Sequence, residues 1–145
     1  MINTSNLEQA KDLIKKSTQK PIIVKAQNEI FNRKILEYGK FDILLDIEST
    51  AKKETTSKNI DSGFNHVLAK IASKNNISLG IDLKSIESLN KKERSIILEK
   101  IIQNIKICRK AKTKIKLLNF KDKINSFSLL LSLGASTSQA KEAIE

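Results

Sequence analysis

Residues 61–83 read DSGFNHVLAKIASKNNISLGIDL, and the two halves of this stretch follow different periods. Between 61 and 74, Phe64, Val67, Leu68, Ile71 and Ala72 recur at helical spacing, the apolar stripe of an amphipathic helix. Asp61 or Ser62 is the expected N-cap, and Gly63 leaves the first turn open to close approach. Opposite the stripe fall Ser62, His66, Lys70 and Ser73, with Lys74 at the edge. The following ISLGIDL (77–83) is a short, β-branched apolar run, hence a strand. A helix that runs directly into such a strand is part of a β/α crossover unit, which predicts a parallel sheet.

The same alternation extends in both directions. PIIVKA (21–26), FDILLDI (41–47) and IKLLNF (115–120) are further short apolar strands. A helix is expected in NLEQAKDLIKKSTQK, with Leu7, Ala10, Leu13 and Ile14 inward, and another in NEIFNRKILEYG, with Ile30, Phe31, Ile35 and Tyr38 inward and Gly39 as the stop. A long helix spans roughly Lys91 to Lys112, INSFSLLLSLG forms a helix closed by Gly134, and TSQAKEAIE starts another. The run ESTAKKETTSKN has no period, so 48–60 is expected to be a mobile basic loop. The predicted fold class is α/β: a partial (β/α) barrel, TIM-barrel-like, with a parallel sheet of about four β/α units in one domain over 1–145. A closed eight-unit barrel takes about 250 residues.

Charge is the strongest bulk signal. The chain carries 27 Lys+Arg against 16 Asp+Glu, formally +11, which favours polyanionic partners. Arginine is confined to Arg33, Arg94 and Arg109, so the surplus is lysine, a point charge suited to phosphate rather than to bidentate base reading. The five Phe and one Tyr fall mostly in apolar patterns, so contacts to backbone and shape are expected to outweigh base stacking. The bland reading is a basic scaffold with scattered lysines and no specific RNA. No stretch approaches the roughly 20 apolar residues of a membrane span, and MINTSNLEQAKDLIKK lacks the apolar centre of a secretory signal. A cytoplasmic protein with no membrane partner is expected.

Other chemistry is sparse. Cys108 is alone, which excludes an internal disulfide and a cysteine-built zinc site, and it shares the buried stripe of the long helix with Ile97, Ile101 and Ile105. Asp46 and Glu48 end the second strand, and Asp82 shares a strand face with Ser78 and Gly80. These carboxylates could hold magnesium through waters, but the expectation is that they are solvated strand-end groups. The four glycines lie too far apart for a phosphate loop. Ile96 and Ile107 share a second face of the long helix, with Lys100 and Gln103 between them, as a small contact patch. No catalytic or metal residues are assigned.

The string DSG-x-N-H-V-L-A-K, followed by A-x-K-N and a strand, resembles the hallmark of the ribonuclease P protein component 3 family. The order PIIVKA, Asn32-Arg33, FDILLDIE, ISLGIDL, a helix ending ICRKAK, IKLLNF and SFSLLLSLGASTSQAKEAI is similar to that family over roughly 20–145. The resemblance implies a (β/α) barrel related to metal-dependent phosphoesterases, here lacking the family's first strand–helix units. It also implies a non-catalytic RNA-binding subunit of the ribonucleoprotein that removes the 5′ leader of precursor tRNA. Its implied partners are the RNase P RNA and protein component 2, with precursor tRNA met indirectly. No cofactor is implied for the chain itself, since the Mg2+ serves the catalytic RNA. By matching motif, Arg33, Lys58, His66, Lys70, Lys74 and Arg109 are expected at RNA or partner surfaces, with Lys52 and Lys53 adding basic character and Ser62 beside them. The alternative is a stand-alone metal-dependent phosphoesterase-like hydrolase, against which the single histidine argues.

Overall fold

The computed structural model describes residues 1–50 and 61–145. Most of the expected basic loop, with Lys52, Lys53 and Lys58, lies outside the described residues. Helix α1 (Leu7–Lys16) precedes β1 (Ile23–Lys25), α2 (Glu29–Tyr38) and β2 (Ile43–Leu45), which runs into a 3-10 turn, Ile47–Ser49. After the undescribed residues come α3 (His66–Lys74), β3 (Ser78–Asp82), a short α4 (Leu83–Glu87), the long α5 (Lys91–Ala111) and β4 (Ile115–Leu118). Helices α6 (Lys123–Ser132) and α7 (Thr137–Ala143) close the chain. Asparagine or aspartate caps six of these helices, as at Asn6, Asn28, Asn65 and Asn90, because its short side chain accepts an orphan first-turn N–H. Ser136 and Gln139 form a reciprocal capping box on α7.

The four strands form one sheet in the order β1-β2-β3-β4, and every pairing is parallel. This is the α/β architecture the alternating pattern predicts, four strands interleaved with helices in a partial barrel arrangement. Residues in register share a face. Val24, Leu44, Leu79 and Ile115 form one row, joined by Ile81 and Leu117 two residues on, and all lie in a single core with Ala10, Ile35, Leu68, Ile101 and Ile105. The opposite face carries Lys25, Leu45, Gly80 and Lys116 in register. There Ile43 and Leu45 are buried by closing over Gly80: a Cβ on that glycine would stand 2.6 Å from Ile43 Cγ2 and 3.1 Å from Leu45 Cδ1. The outer edge of β1 is met by Ile2, whose N–H donates to the Ile23 carbonyl and whose carbonyl accepts from the Lys25 N–H, both at 2.8 Å. Occupying an edge strand in this way shields it from open pairing.

One helix start and three inward assignments are corrected. Helix α3 starts at His66, not at 61, because Asn65 caps it while Ser62 and Gly63 form a turn before it. Val67 is therefore 55% exposed and Ala69 takes its place in the core. In α2 the buried face is Phe31, Asn32, Ile35 and Leu36, which leaves Ile30 exposed. Leu13 of α1 is also largely exposed.

Gly63 is the residue on which the approach to α3 turns. Its φ is +75°, and a Cβ there would stand 2.6 Å from the Ile47 carbonyl oxygen. A side chain would thus meet both backbone strain and a backbone clash that cannot swing aside. Gly63→Ala is expected to cost roughly 2–4 kcal/mol, read as a lower urea midpoint with an unchanged slope. An unchanged midpoint would show that the turn does not dock on Ile47.

Candidate nucleic-acid interface

The turn ahead of α3 is built from its own side chains. The Ser62 hydroxyl donates to the Phe64 carbonyl (3.1 Å) and accepts from the Phe64 N–H (3.4 Å), while Asp61 Oδ1 accepts from the Gly63 N–H (3.0 Å). Phe64 anchors this turn in the core, and Asn65 Oδ1 accepts from the Leu68 N–H at 2.9 Å. His66 is therefore the first residue of α3, exposed, beside the partial positive charge of a helix N-terminus. Ser62 is 2% exposed and its hydroxyl is engaged within the turn, so it leaves the candidate surface.

Helix α5 packs beside α3 and is tied to it at the C-terminal end. Thr113 Oγ1 donates to the Ala69 carbonyl (2.7 Å), and Ser73 Oγ donates to the Lys112 carbonyl (3.2 Å). Between the helices lies a depression of about 440 Å³ lined by His66, Gln103, Lys106, Ile107 and Lys110. Lys70 is exposed one turn on from His66, and Lys74 closes the helix. Two helices thus place His66 of α3 and Lys106 and Lys110 of α5 around one groove, with no acidic side chain among the described residues that line it. Lys106 and Lys110 are not among the sequence candidates, whereas Gln103 and Ile107 belong to the expected outer patch of α5. The signal was present, since 103, 106, 107 and 110 recur at helical spacing on the outer side of α5.

The two candidate arginines are otherwise engaged. Arg109 donates from Nε to Gln139 Oε1 at 3.1 Å and from its guanidinium to the Gly134 carbonyl, which clamps α5 to the α6–α7 connection. Arg33 pairs with Glu37 at 3.1 Å one turn along α2, an exposed pair of the kind that contributes a few tenths of a kcal/mol.

Two of the three strand-end carboxylates, Asp46 and Glu48, are buried rather than solvated as expected, while Asp82 stays partly open to solvent. Glu48 is 2% exposed, and its Oε2 has no hydrogen-bond partner among the described residues. Burial pushes its carboxyl up to about 8; its own backbone amide acts the other way, Asp46 and Asp82 add to the rise, and Lys100 opposes it. Asp46 sits in the left-handed region at φ 60° and is also raised, by burial first and then by Asp82, against Lys25. Burial alone would raise Asp82, but hydrogen bonds from Asn119 (2.9 Å) and Ser85 (2.8 Å), with two backbone amides, outweigh it and hold the carboxyl low. Lys100, expected on an outer patch, is 3% exposed and shares with Glu48 a depression of about 540 Å³ beside Asn90, Ile96 and Ile97. Ile96 and Ile107 therefore border separate depressions. Among the described residues no three His, Cys, Asp or Glu side chains are grouped to hold a metal ion, so the hydrolase reading gains no ligand set. No helix among the described residues is long and apolar enough to cross a membrane.

No protein-family model matches the chain, and no curated protein does. Among solved structures it is similar to a chain in a cryo-EM structure of archaeal ribonuclease P with mature tRNA. The TM-score is 0.73 at 24% identity, and the match covers 98% of this chain. The chain spans 62% of the length of that relative. A likeness at this identity defines the class of fold, the partial β/α barrel described above.

Because the Glu48 carboxyl is raised in the folded state, its favourable contribution is fully present below its ordinary value of 4.5 and is lost as pH rises through about 8. Unfolding free energy is expected to fall across that window relative to Glu48→Gln, by an amount on the order of a few kcal/mol. Urea midpoints of both proteins from pH 4.5 to 9 check this. Parallel curves would mean that Glu48 ionises as readily folded as unfolded.

Proposed function

We propose that the chain is a non-catalytic RNA-binding subunit of ribonuclease P that assists the RNA subunit in removing the 5′ leader of precursor tRNA. The observation that carries this reading is the α3–α5 groove, where the DSGFNHVLAK segment brings His66 beside Lys106 and Lys110, with Lys70 exposed one turn further along α3. The fold likeness to a chain of archaeal ribonuclease P supports it, as do the +11 charge and the resemblance of the motif itself.

The chemistry follows from the side chains. Lysine ammonium groups neutralise phosphates and release condensed counterions without regard to sequence, which suits a subunit that steadies a folded RNA. His66 adds a hydrogen-bond donor at a helix N-terminus, where anions are favoured. In this reading protein component 2 is the protein partner, precursor tRNA is met indirectly, the Mg2+ belongs to the RNA, and the complex works in the cytoplasm.

Reconstitution tests it. Precursor-tRNA cleavage by the cognate RNA and component 2 at limiting magnesium is expected to be stimulated by the chain. The Lys70→Ala, Lys106→Ala, Lys110→Ala triple variant is expected to lose roughly tenfold or more of that stimulation at physiological salt, with a salt dependence shallower by about one log unit per lost phosphate contact. Its urea midpoint should match that of the parent, because all three residues are exposed. Absence of stimulation, together with hydrolysis of a simple phosphoester by the chain alone, would replace this reading with the hydrolase one.

A further inference from the structure

The lysines of the α3–α5 groove hold a fixed charge near neutral pH, whereas an imidazole is the side chain whose charge ordinarily changes there. His66 opens α3 as an exposed residue and shares the lining of the depression with Lys106 and Lys110 of α5. The charged groups around it are of one sign. Lys70 stands one turn on along α3, the two lysines of α5 lie across the groove, and the rest of the lining, Gln103 and Ile107, is uncharged. Two acids are close in sequence but outside the lining: Asp61, whose Oδ1 accepts from the Gly63 N–H at 3.0 Å, and Glu99, one turn before Gln103 on α5. Helix α2 also packs on α3, and none of its residues lines the depression. Among the described residues the imidazole makes no ion pair. A charged imidazole is favoured by a neighbouring anion, and in this groove that anion has to arrive with a ligand.

Resting on the RNA-binding reading, we propose that RNA binding in this groove is coupled to protonation of His66, so that the chain holds RNA more tightly as pH falls through the histidine range. A phosphodiester seated against Lys106 and Lys110 neutralises them and adds a negative oxygen beside the ring. Both effects favour the imidazolium more in the complex than in the free chain. The ring then donates a charge-assisted hydrogen bond in place of a neutral one. One proton is taken up from solvent on binding, and by linkage the factor that favours the proton in the complex strengthens binding at low pH. Affinity therefore falls as pH rises through the imidazole range. The lysines alone give an affinity without pH dependence there, since their charge does not change. The coupling adds a response to pH that charge neutralisation by itself lacks.

Fluorescence anisotropy of an end-labelled oligouridine RNA, titrated with the full chain at low and constant ionic strength, reads the coupling. Phosphodiesters and uracil keep their charge between pH 5.5 and 7.5, so any pH dependence comes from the protein. The wild-type chain should bind about fivefold more tightly at pH 5.5 than at 7.5, the ratio that a rise of about one unit in a histidine's proton affinity on binding gives. The imidazole Cε1 proton is unambiguous by NMR because the sequence has one histidine, and its titration midpoint should move to higher pH when the RNA is present. His66→Gln, which keeps a donor but takes up no proton, should bind with one affinity at both pH values. Glu48→Gln should retain the wild-type pH dependence, which separates the groove from the buried carboxyl that burial pushes up to about 8. A flat wild-type affinity, or a pH dependence that survives in His66→Gln, would overturn the coupling and leave phosphate binding by the lysines intact. Failure to bind at either pH would overturn the RNA reading with it.

Discussion

A parallel sheet has no face that tolerates water, and this one has only four strands with which to meet that demand. One face is covered by helices through the row Val24, Leu44, Leu79 and Ile115. On the other, the absence of a side chain at Gly80 lets Ile43 and Leu45 close over β3, with the half-buried Lys25 and Lys116 in register on either side. The order of the strands in turn sets the helices α3 and α5 side by side. Because α3 and α5 follow β2 and precede β4 in this arrangement, the groove between them is a product of the sheet, not of a special insertion.

A second constraint acts through a single turn. Gly63 lies against the Ile47 carbonyl, so the end of β2 and the start of α3 are locked together. The same 3-10 turn carries the buried Glu48. Rigidity here places His66 at a helix N-terminus with its neighbours already organised. The neutral, desolvated carboxyl beside it lowers stability toward alkaline pH without contributing to the groove.

Strand and helix order could be read from the sequence because apolar periodicity reports it directly, and so could the outward placement of His66 and Lys70. What could not be read depends on local hydrogen bonds or on third partners. Asn65 and Ser62 both fit a cap, and only the Phe64 anchor decides that α3 starts at His66 and not earlier. Asn32 looks like a surface residue but is 1% exposed, because its amide exchanges hydrogen bonds with both backbone groups of Gln27. Glu48 and Lys100 carry formal charge, so hydropathy assigns both to solvent, whereas the packing of the 3-10 turn on α5 buries them. Lys106 and Lys110 do not stand out in the sequence because their significance lies in a neighbouring helix, at His66, far earlier in the chain.

The central claim is that polyanion binding is focused on the α3–α5 groove and not spread over a uniformly basic surface. Residue-resolved lysine acetylation, with and without the cognate RNA, tests it most directly. The account predicts joint protection of Lys70, Lys106 and Lys110, while the exposed Lys15 and Lys16 of α1 stay reactive. Equal protection of the α1 lysines, or none in the groove, would contradict it and return the charge to a scattered surface property.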